Sequence, residues 1–318
     1  MDKNALLQHF DEHGFVVVED IFDSVHDLQP LIDDYRMLLN ELATSWFAEG
    51  LIPATYIDLP FEQQFDRIIT ESKHAWYQHF DFSLPQTKIT PETPIHLSEP
   101  IFRLITHPKL LDIVELFIGS EILVNPVHHV RIKPPEKLVS HKPGESTLTV
   151  KTEWHQDQGV VLPEADVTTI LTIWMPIVDA TVENGCLCVI PGTHKSGLVT
   201  HCPGIQTHIP EKLLPGQPMA LPMKKGSALF MHRRTIHSSL ANQSSSIRWS
   251  FDLRYQPIGL PTGRPDFPSF VARSPKRPES VVTDYRVWQQ LWWDTRRELI
   301  ERDKPKFQRW DGDSPSCA

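Results

Sequence analysis

The 318-residue sequence has four cysteines, no block of basic residues and no long apolar run. A bilayer-spanning helix needs about 20 consecutive apolar residues, and no window of this sequence approaches that length. The N-terminus has no apolar stretch of the kind found in a secretory signal. These absences predict a protein that neither spans nor binds a membrane, and they predict a cytoplasmic location.

The net charge of −9 and the pI of about 6.0 come without any basic stripe, so a nucleic-acid partner is not expected. The four cysteines, without a secretory signal, do not indicate a disulfide framework. Cys186 and Cys188 share one face of a predicted strand and are expected to be small buried core residues.

What the sequence does contain is typical of one globular domain over residues 1–318, with 40% hydrophobic and 22% charged residues. Residues 1–120 are predicted to be mostly helical support, with helices over 4–13 (ended by Gly14), after Asp23 or Ser24, and over 60–78 and 108–118. Residues 121–257 are predicted to form the β core, and residues 258–318 a proline-rich segment followed by a helix near 284–303.

Short apolar or alternating runs separated by turn residues predict a sandwich or barrel. The predicted strands cover 122–133, 147–155, 168–177, 186–190, 219–223, 228–232 and 247–255. The polar stretch 134–144 is interpreted either as a flap over a site or as a plain surface loop. In the late helix, a stripe of Trp288, Leu291, Trp292, Thr295 and Leu299 is expected to pack against the core, with a dimer contact as the alternative.

The segment 152–159 reads as a strand that runs into a turn, and it carries His155 and Asp157. Residues i and i+2 of a strand share one face, so these two side chains are predicted to project together. One imidazole and one carboxylate are two thirds of the 2-His-1-carboxylate set of non-haem Fe(II) oxygenases.

His-x-Asp also occurs at His9–Asp11 and at His79–Asp81. The first pair lies in a predicted helix, where positions i and i+2 do not face each other. The second is interpreted as a partly buried histidine beside a surface aspartate.

The missing histidine is expected from a later strand, where His232 and His237 are both candidates. Beyond them, in 247–255, apolar residues alternate with Arg248, Ser250, Asp252 and Arg254. A buried arginine needs a charged partner. A dicarboxylate cosubstrate would bind the Arg248 guanidinium through two hydrogen bonds, with Ser250 adding another.

With these segments in order, the sequence resembles the phytanoyl-CoA dioxygenase family of Fe(II)/2-oxoglutarate-dependent oxygenases. The most specific parts of this resemblance are the Asn-Gly-Cys-Leu run from Asn184 and the Pro-Gly-Thr-His-Lys run from Pro191. The matching pieces are 14–17, 133–135, 154–157, 183–195, 225–230, 237–242 and Arg248, which follows His237 by eleven residues.

The resemblance implies a mainly β fold with flanking helices, built on a double-stranded β-helix (jelly-roll, cupin-like) core. It implies Fe(II) on His155, Asp157 and His237, and 2-oxoglutarate with its distal carboxylate on Arg248. By position, Ser239, Trp174 and His129 would line the same pocket. For Trp174, a packed core aromatic is the equal alternative.

The remaining histidines have other expected roles. His232 is then expected in the core or behind the ligands, and His194 in a structural turn. His201 and His208 are expected at the surface or on the substrate side.

The implied reaction is hydroxylation or desaturation of a small organic metabolite with O2, releasing succinate and CO2. Halide-binding relatives replace the carboxylate ligand with a small residue. Because Asp157 is present here, oxygen transfer or desaturation is expected instead of halide chemistry. The alternatives are a metal-dependent cupin-like enzyme that does not use 2-oxoglutarate, and a non-catalytic binding protein on the same barrel. The candidate substrate contacts are Arg131, Trp154, Gln158 and Arg254. Lys133, Lys137 and Lys142 are interpreted as a solvated loop, with contacts to phosphate groups as the alternative.

Overall fold

The computed structural model describes residues 2–72, 76–86, 88–139, 149–302 and 307–317. Helices dominate the first part of the chain, as predicted, and one long helix follows the sheets. The helices are α1 Lys3–His13, α2 Gln29–Ala48, α3 Phe61–Ser72, α4 Glu99–Ile105, α5 Pro108–Ile118 and α6 Tyr285–Glu301.

Two antiparallel sheets form the β part. The strands are β1 Phe15–Val18, β2 Ile122–Val124, β3 His129–Lys133, β4 Leu171–Pro176, β5 Leu187–Ile190, β6 Met219–Leu221, β7 Ala228–His232, β8 Ile236–Ser239, β9 Arg248–Pro257 and β10 Phe270–Arg273. The larger sheet has the order β1-β7-β4-β9-β2-β10, and β3 pairs with the other end of β9 on the β2 side. The smaller sheet has the order β6-β5-β8.

The larger sheet separates two apolar layers. One face of β9 carries Trp249, Phe251 and Leu253 into the main core, where the helices pack. The second core cluster includes residues of both sheets, such as Trp174 on β4 and Val189 on β5. A β9 that is buried along both faces therefore turns its polar residues into the space between the sheets. This arrangement confirms the predicted mainly β core with flanking helices.

Local sequence explains where several elements begin and end. The Asp2 carboxylate caps α1, which ends at Gly14 in the left-handed conformation (φ 81°). The Asp23 side chain caps a single π-helical turn that leads into α2, and Asp284 caps α6. These side chains accept hydrogen bonds from backbone amides that lack partners within the helix. Trp288, Trp292 and Leu299 of α6 pack into the main core, as expected.

The structure corrects several predicted boundaries. The run 122–133 forms two strands, because a turn interrupts it between Val124 and His129. Of the run 147–155, residues 147–148 lie outside the described part, and the rest contains only an isolated bridge at His155. Helix α4 and strands β8 and β10 were not predicted. Of the loop 134–144, residues 140–144 lie outside the described part, and Lys137 is exposed.

The cysteines were not expected to form disulfides, and this expectation is wrong for one pair. Cys202 and Cys317 form a disulfide across 115 residues of sequence. Cys186 and Cys188 are free and buried, as predicted. Within the described ranges, none of the helices has the length and apolar character required to cross a bilayer.

Candidate active site

His155 and His237 are brought together by the backbone. The two residues form an antiparallel bridge, and each backbone amide donates to the other's carbonyl over 3.0 Å. His237 lies in β8 of the smaller sheet, and Asp157 begins a 3-10 turn, Asp157–Val160, two residues after His155. The predicted strand is therefore a single bridge followed by a turn.

The three side chains converge in a buried space. One ligand atom from each of His155, Asp157 and His237 lies within 4.8 Å of the other two. The Nε2 atoms of the histidines are 3.9 and 4.0 Å from the Asp157 carboxylate oxygens. In the part of the chain that the structure describes, this is the only such group of His, Cys, Asp or Glu residues.

Each imidazole is oriented through its other nitrogen. His155 Nδ1 lies 2.8 Å from the Glu153 carbonyl, and His237 Nδ1 lies 3.0 Å from the Thr235 carbonyl. A carbonyl can only accept, so Nδ1 carries the proton and the Nε2 lone pair is directed toward the partner ligands. Metal-ligating histidines commonly have this kind of support.

Burial and neighbouring charges set the protonation of the ligands. Burial, and then the neighbouring His237, lower the pKa of His155 to about 3. Burial alone would raise the pKa of Asp157, but the nearby Arg254 guanidinium and the imidazoles hold it below its usual value. The ligand set is therefore two histidines, one of them held neutral, and one carboxylate, the state in which side chains bind a metal.

The Asp157 carboxylate has two partners of its own. Arg254 Nη2 donates to Oδ1, and Thr172 Oγ1 donates to Oδ2. The Arg254 guanidinium also donates to the Val127 carbonyl over 2.9 Å. Arg254 was predicted as a substrate contact, whereas in the structure it supports a predicted metal ligand. Its place on the polar face of β9 was the available signal.

Arg248 lies in the same inter-sheet space with incomplete hydrogen bonding. It is fully buried, donates from Nη1 to Ser250 Oγ, and lies 5.4 Å from the centre of the Trp174 ring. Its Nε and Nη2 atoms and Trp174 Nε1 are buried and have no partner among the described residues. Burial, and then the charge of Arg131, lower the pKa of Arg248 to about 10. A buried cation with free donors fits an anionic ligand.

Lys133 lies directly beside Arg248. The two residues are register partners on β3 and β9, and Lys133 is buried rather than in a solvated loop. Its Nζ atom donates to Ser239 Oγ over 2.6 Å and to the Leu240 carbonyl over 3.1 Å. Burial, and then the Arg248 charge, lower the pKa of Lys133 well below its usual value. The sequence placed Lys133 in a solvated loop because prolines follow it directly.

The other predicted substrate contacts are engaged within the protein. Arg131 forms an ion pair with Asp252. Gln158 donates to Asp166 over 2.8 Å and accepts from Arg234 over 2.6 Å. Trp154 is half-buried against the apolar cluster of Ile190, Ile209 and Ile236.

The structure corrects the predicted position of one residue in the His79–Asp81 pair. Asp81 is buried rather than at the surface, and its Oδ2 lies 2.8 Å from His129 Nδ1. Because this contact occupies Nδ1, only the Nε2 atom of His129 remains for another ligand. His129 shares the polar face of β3 with Arg131 and Lys133. His79 is half-buried, with its ring edge-on to Trp46.

The remaining histidines lie apart from the ligand set. His232 is packed near His194, and His194 Nε2 lies 3.0 Å from the Asp11 carbonyl, which is a structural contact with α1. His201 is buried, not at the surface, and its Nε2 accepts from the Gln156 amide over 2.9 Å. His208 is half-buried, and its backbone bridges Cys202.

Comparison with known proteins identifies related sequences and structures. A family model described as phytanoyl-CoA dioxygenase matches residues 10–250. The human peroxisomal phytanoyl-CoA dioxygenase is 24% identical over 264 residues, which cover 78% of this chain and 68% of that protein. The 1-deoxypentalenic acid 11-beta-hydroxylase of Streptomyces exfoliatus is 24% identical over 281 residues, covering 82% of this chain and 84% of that protein. The match spans about half to two thirds of the first curated relatives.

Solved structures share the fold. The non-heme monooxygenase ThoJ has a TM-score of 0.58 and 16% identity, covering 93% of this chain and 97% of that one. The epimerase SnoN, in complex with Fe3+, alpha ketoglutarate and nogalamycin RO, has a TM-score of 0.50 and 21% identity, covering 82% and 87%. Since the family model covers most of the sequence, the chain belongs to the phytanoyl-CoA dioxygenase family of Fe(II)/2-oxoglutarate-dependent oxygenases.

Proposed function

We propose that this protein is a dioxygenase that uses Fe(II) and 2-oxoglutarate to hydroxylate or desaturate a small organic metabolite, releasing succinate and CO2. The observation that carries the proposal is the buried group of His155, Asp157 and His237, which shares the inter-sheet space with the underbonded Arg248. Two imidazoles and one carboxylate with further positions open are typical of non-haem Fe(II) oxygenases.

His155 and His237 would bind the metal through Nε2, since their Nδ1 atoms face backbone carbonyls. Asp157 would provide one carboxylate oxygen, while Arg254 and Thr172 hold the group in place. When bound, the iron and 2-oxoglutarate supply the oxidising chemistry with O2, and the protein supplies geometry and a site shielded from water.

Arg248 would bind the distal carboxylate of 2-oxoglutarate, using the nitrogen atoms that have no partner among the described residues. Ser250 holds one arm of the guanidinium, and Trp174 lies beside it. Lys133, which donates to Ser239, lies next to Arg248 and would add a further hydrogen-bond donor to the pocket. His129 lies at the other end of β3, on the same face as Lys133, and we propose that it also lines this pocket.

The presence of Asp157 supports oxygen transfer or desaturation over halide chemistry, and the choice between the two depends on how substrate is positioned. Solved neighbours bear names as different as epimerase and carbocyclase, so the fold sets the cosubstrates rather than the product. O2 and a small molecule are the proposed partners, and the cytoplasm is the proposed location.

The direct test is succinate release. Purified protein with Fe(II), 2-oxoglutarate and O2 should form succinate slowly alone, and faster when a metabolite fraction contains the substrate. His237→Ala should abolish release, whereas His232→Ala should retain it, because His232 lies outside the ligand set. Metal binding without succinate from any fraction would favour the cupin-like alternative, and no metal binding would favour a binding protein.

A further inference from the structure

The last described residues, 307–317, pack against the turn that carries Asp157, and we call them the C-terminal strap. Arg309 Nη1 donates to the Gln158 carbonyl over 2.9 Å. Trp310 Nε1 donates to the Gly159 carbonyl over 2.7 Å. These are the two carbonyls directly after the predicted metal ligand, so the strap holds its backbone from one side.

Arg309 is itself fixed in place. Its guanidinium binds both carboxylate oxygens of Asp166, over 2.9 and 2.6 Å. Asp166 also accepts from the Gln158 side chain over 2.8 Å. The arginine therefore closes a ring of hydrogen bonds around Gln158, and a bidentate pair of this kind is geometrically specific.

His201 holds the other side of Asp157. Its Nε2 accepts from the Gln156 amide over 2.9 Å, and Trp310 stacks on its ring at 5.2 Å. A Cβ atom on Gly159 would come within 2.3 Å of the His201 ring. Because the ring and the turn are in such close contact, a displacement of Trp310 or His201 would also shift the backbone around Asp157.

A disulfide fastens this assembly. Cys202 follows His201 directly, and it is bonded to Cys317 near the end of the strap. The strap thus has one covalent attachment, beside the histidine that supports the Gln156 amide. It also lies beyond residue 250, where the family match ends.

We propose that Arg309 and Trp310 are positioning residues for Asp157, and that the Cys202–Cys317 disulfide keeps them in place, so that its reduction weakens metal binding. This inference rests on the metal site proposed above. Reduction by a water-soluble phosphine breaks the S–S bond and forms two thiols; water supplies both protons, and the phosphine retains the oxygen as its oxide.

The test uses the full chain, with Co(II) as the probe because its visible absorption reports ligand geometry. We expect Arg309→Gln to weaken Co(II) affinity by about tenfold, as supporting residues around a metal commonly do, and to change the absorption spectrum. Arg309→Lys should recover part of the affinity. Arg297→Gln is the matched control, since Arg297 forms an exposed ion pair with Asp294 within α6.

The disulfide is tested by phosphine treatment followed by removal of the reagent without oxygen. Reduction should weaken Co(II) binding by the wild type and leave Cys317→Ser, already weakened, unchanged. Unaltered affinity and spectrum in both the reduced wild type and Arg309→Gln would overturn the inference while the metal site stands. Absence of Co(II) binding by the oxidised wild type would overturn both. If Arg309→Gln does not fold, reduction of the wild type decides.

Discussion

Among the three predicted metal ligands, Asp157 accepts the most side-chain hydrogen bonds. Its carboxylate accepts from Arg254 on one oxygen and from Thr172 on the other, and the residue is almost fully buried. A carboxylate has about four lone-pair positions, so both hydrogen bonds leave room for a metal. The two donors also define the plane of the group, which determines the direction in which it can bind a cation.

Replacing Arg254 should therefore weaken the metal site. We predict that Arg254→Gln lowers Fe(II) affinity between about 10-fold and 100-fold, because an unsupported carboxylate loses its orientation. Anaerobic titration measures this loss. Arg254→Lys, which keeps the charge but not both hydrogen bonds, should bind iron more tightly than Arg254→Gln; equal affinity in Arg254→Gln and wild type would contradict the supporting role.

Asp66 on α3 predicts a pH effect away from the site. Burial, and then the charge of Glu62, raise the pKa of this carboxyl to about 6, and its Oδ1 has no partner among the described residues. The folded state therefore holds the proton more tightly than the unfolded state. The stabilisation is complete below pH about 4 and is lost as the pH rises through about 6.

Asp66→Asn should remove that pH dependence and raise the free energy of unfolding at pH 7 by about 1–2 kcal/mol. This is less than the full pKa shift implies, because solvent screens a half-buried carboxyl. Urea unfolding at pH 4.5 and pH 7 measures both effects, with Asp58→Asn as the control at an exposed carboxylate. A variant that keeps the wild-type pH profile would show that another group is responsible.

At the scale of elements, β9 is the strand whose pattern predicted the most. Its alternation placed Trp249, Phe251 and Leu253 on one face and Arg248 on the other, and the structure confirms both faces. The helices ended by Gly14 and begun at Pro108 were predicted because capping residues and prolines act locally. Such elements are specified by nearby residues.

Elements that depend on distant partners were missed or misread. Strand β8 was missed because its residues are mostly polar, and it is defined by pairing with β5. The segment before Asp157 was read as a strand, but it keeps only the bridge to His237. The Cys202–Cys317 pairing could not be predicted, because no local pattern links residues 115 positions apart.

Helix α6 contributes to stability through its tryptophans. Trp292 is fully buried, with its ring against Phe267 and His128. We predict that Trp292→Ala lowers the free energy of unfolding by about 3–5 kcal/mol, the range for removal of a large buried aromatic. Metal affinity should change little in the protein that remains folded. Val287→Ala, on the exposed side of α6, is the control, and a loss there as large as for Trp292→Ala would contradict the assigned face.

For the whole molecule, the disulfide connects the end of the chain to a loop of the β core. Cross-linking positions 115 residues apart restricts the unfolded chain, and native disulfides typically contribute about 2–4 kcal/mol. We predict that reduction, or Cys317→Ser, lowers the free energy of unfolding by that amount in urea. An unchanged midpoint on reduction would show that the other contacts of the C-terminal strap suffice.

The proposed activity requires a metal and a dicarboxylate to share the space between the two sheets. The most direct measurement is anaerobic titration with Fe(II) and 2-oxoglutarate, following the visible charge-transfer absorption of the chelate. The band should form with wild type and His232→Ala, weaken strongly with Arg248→Gln, and be absent with His237→Ala. If wild type binds Fe(II) but shows no band, the assignment of 2-oxoglutarate to Arg248 is wrong.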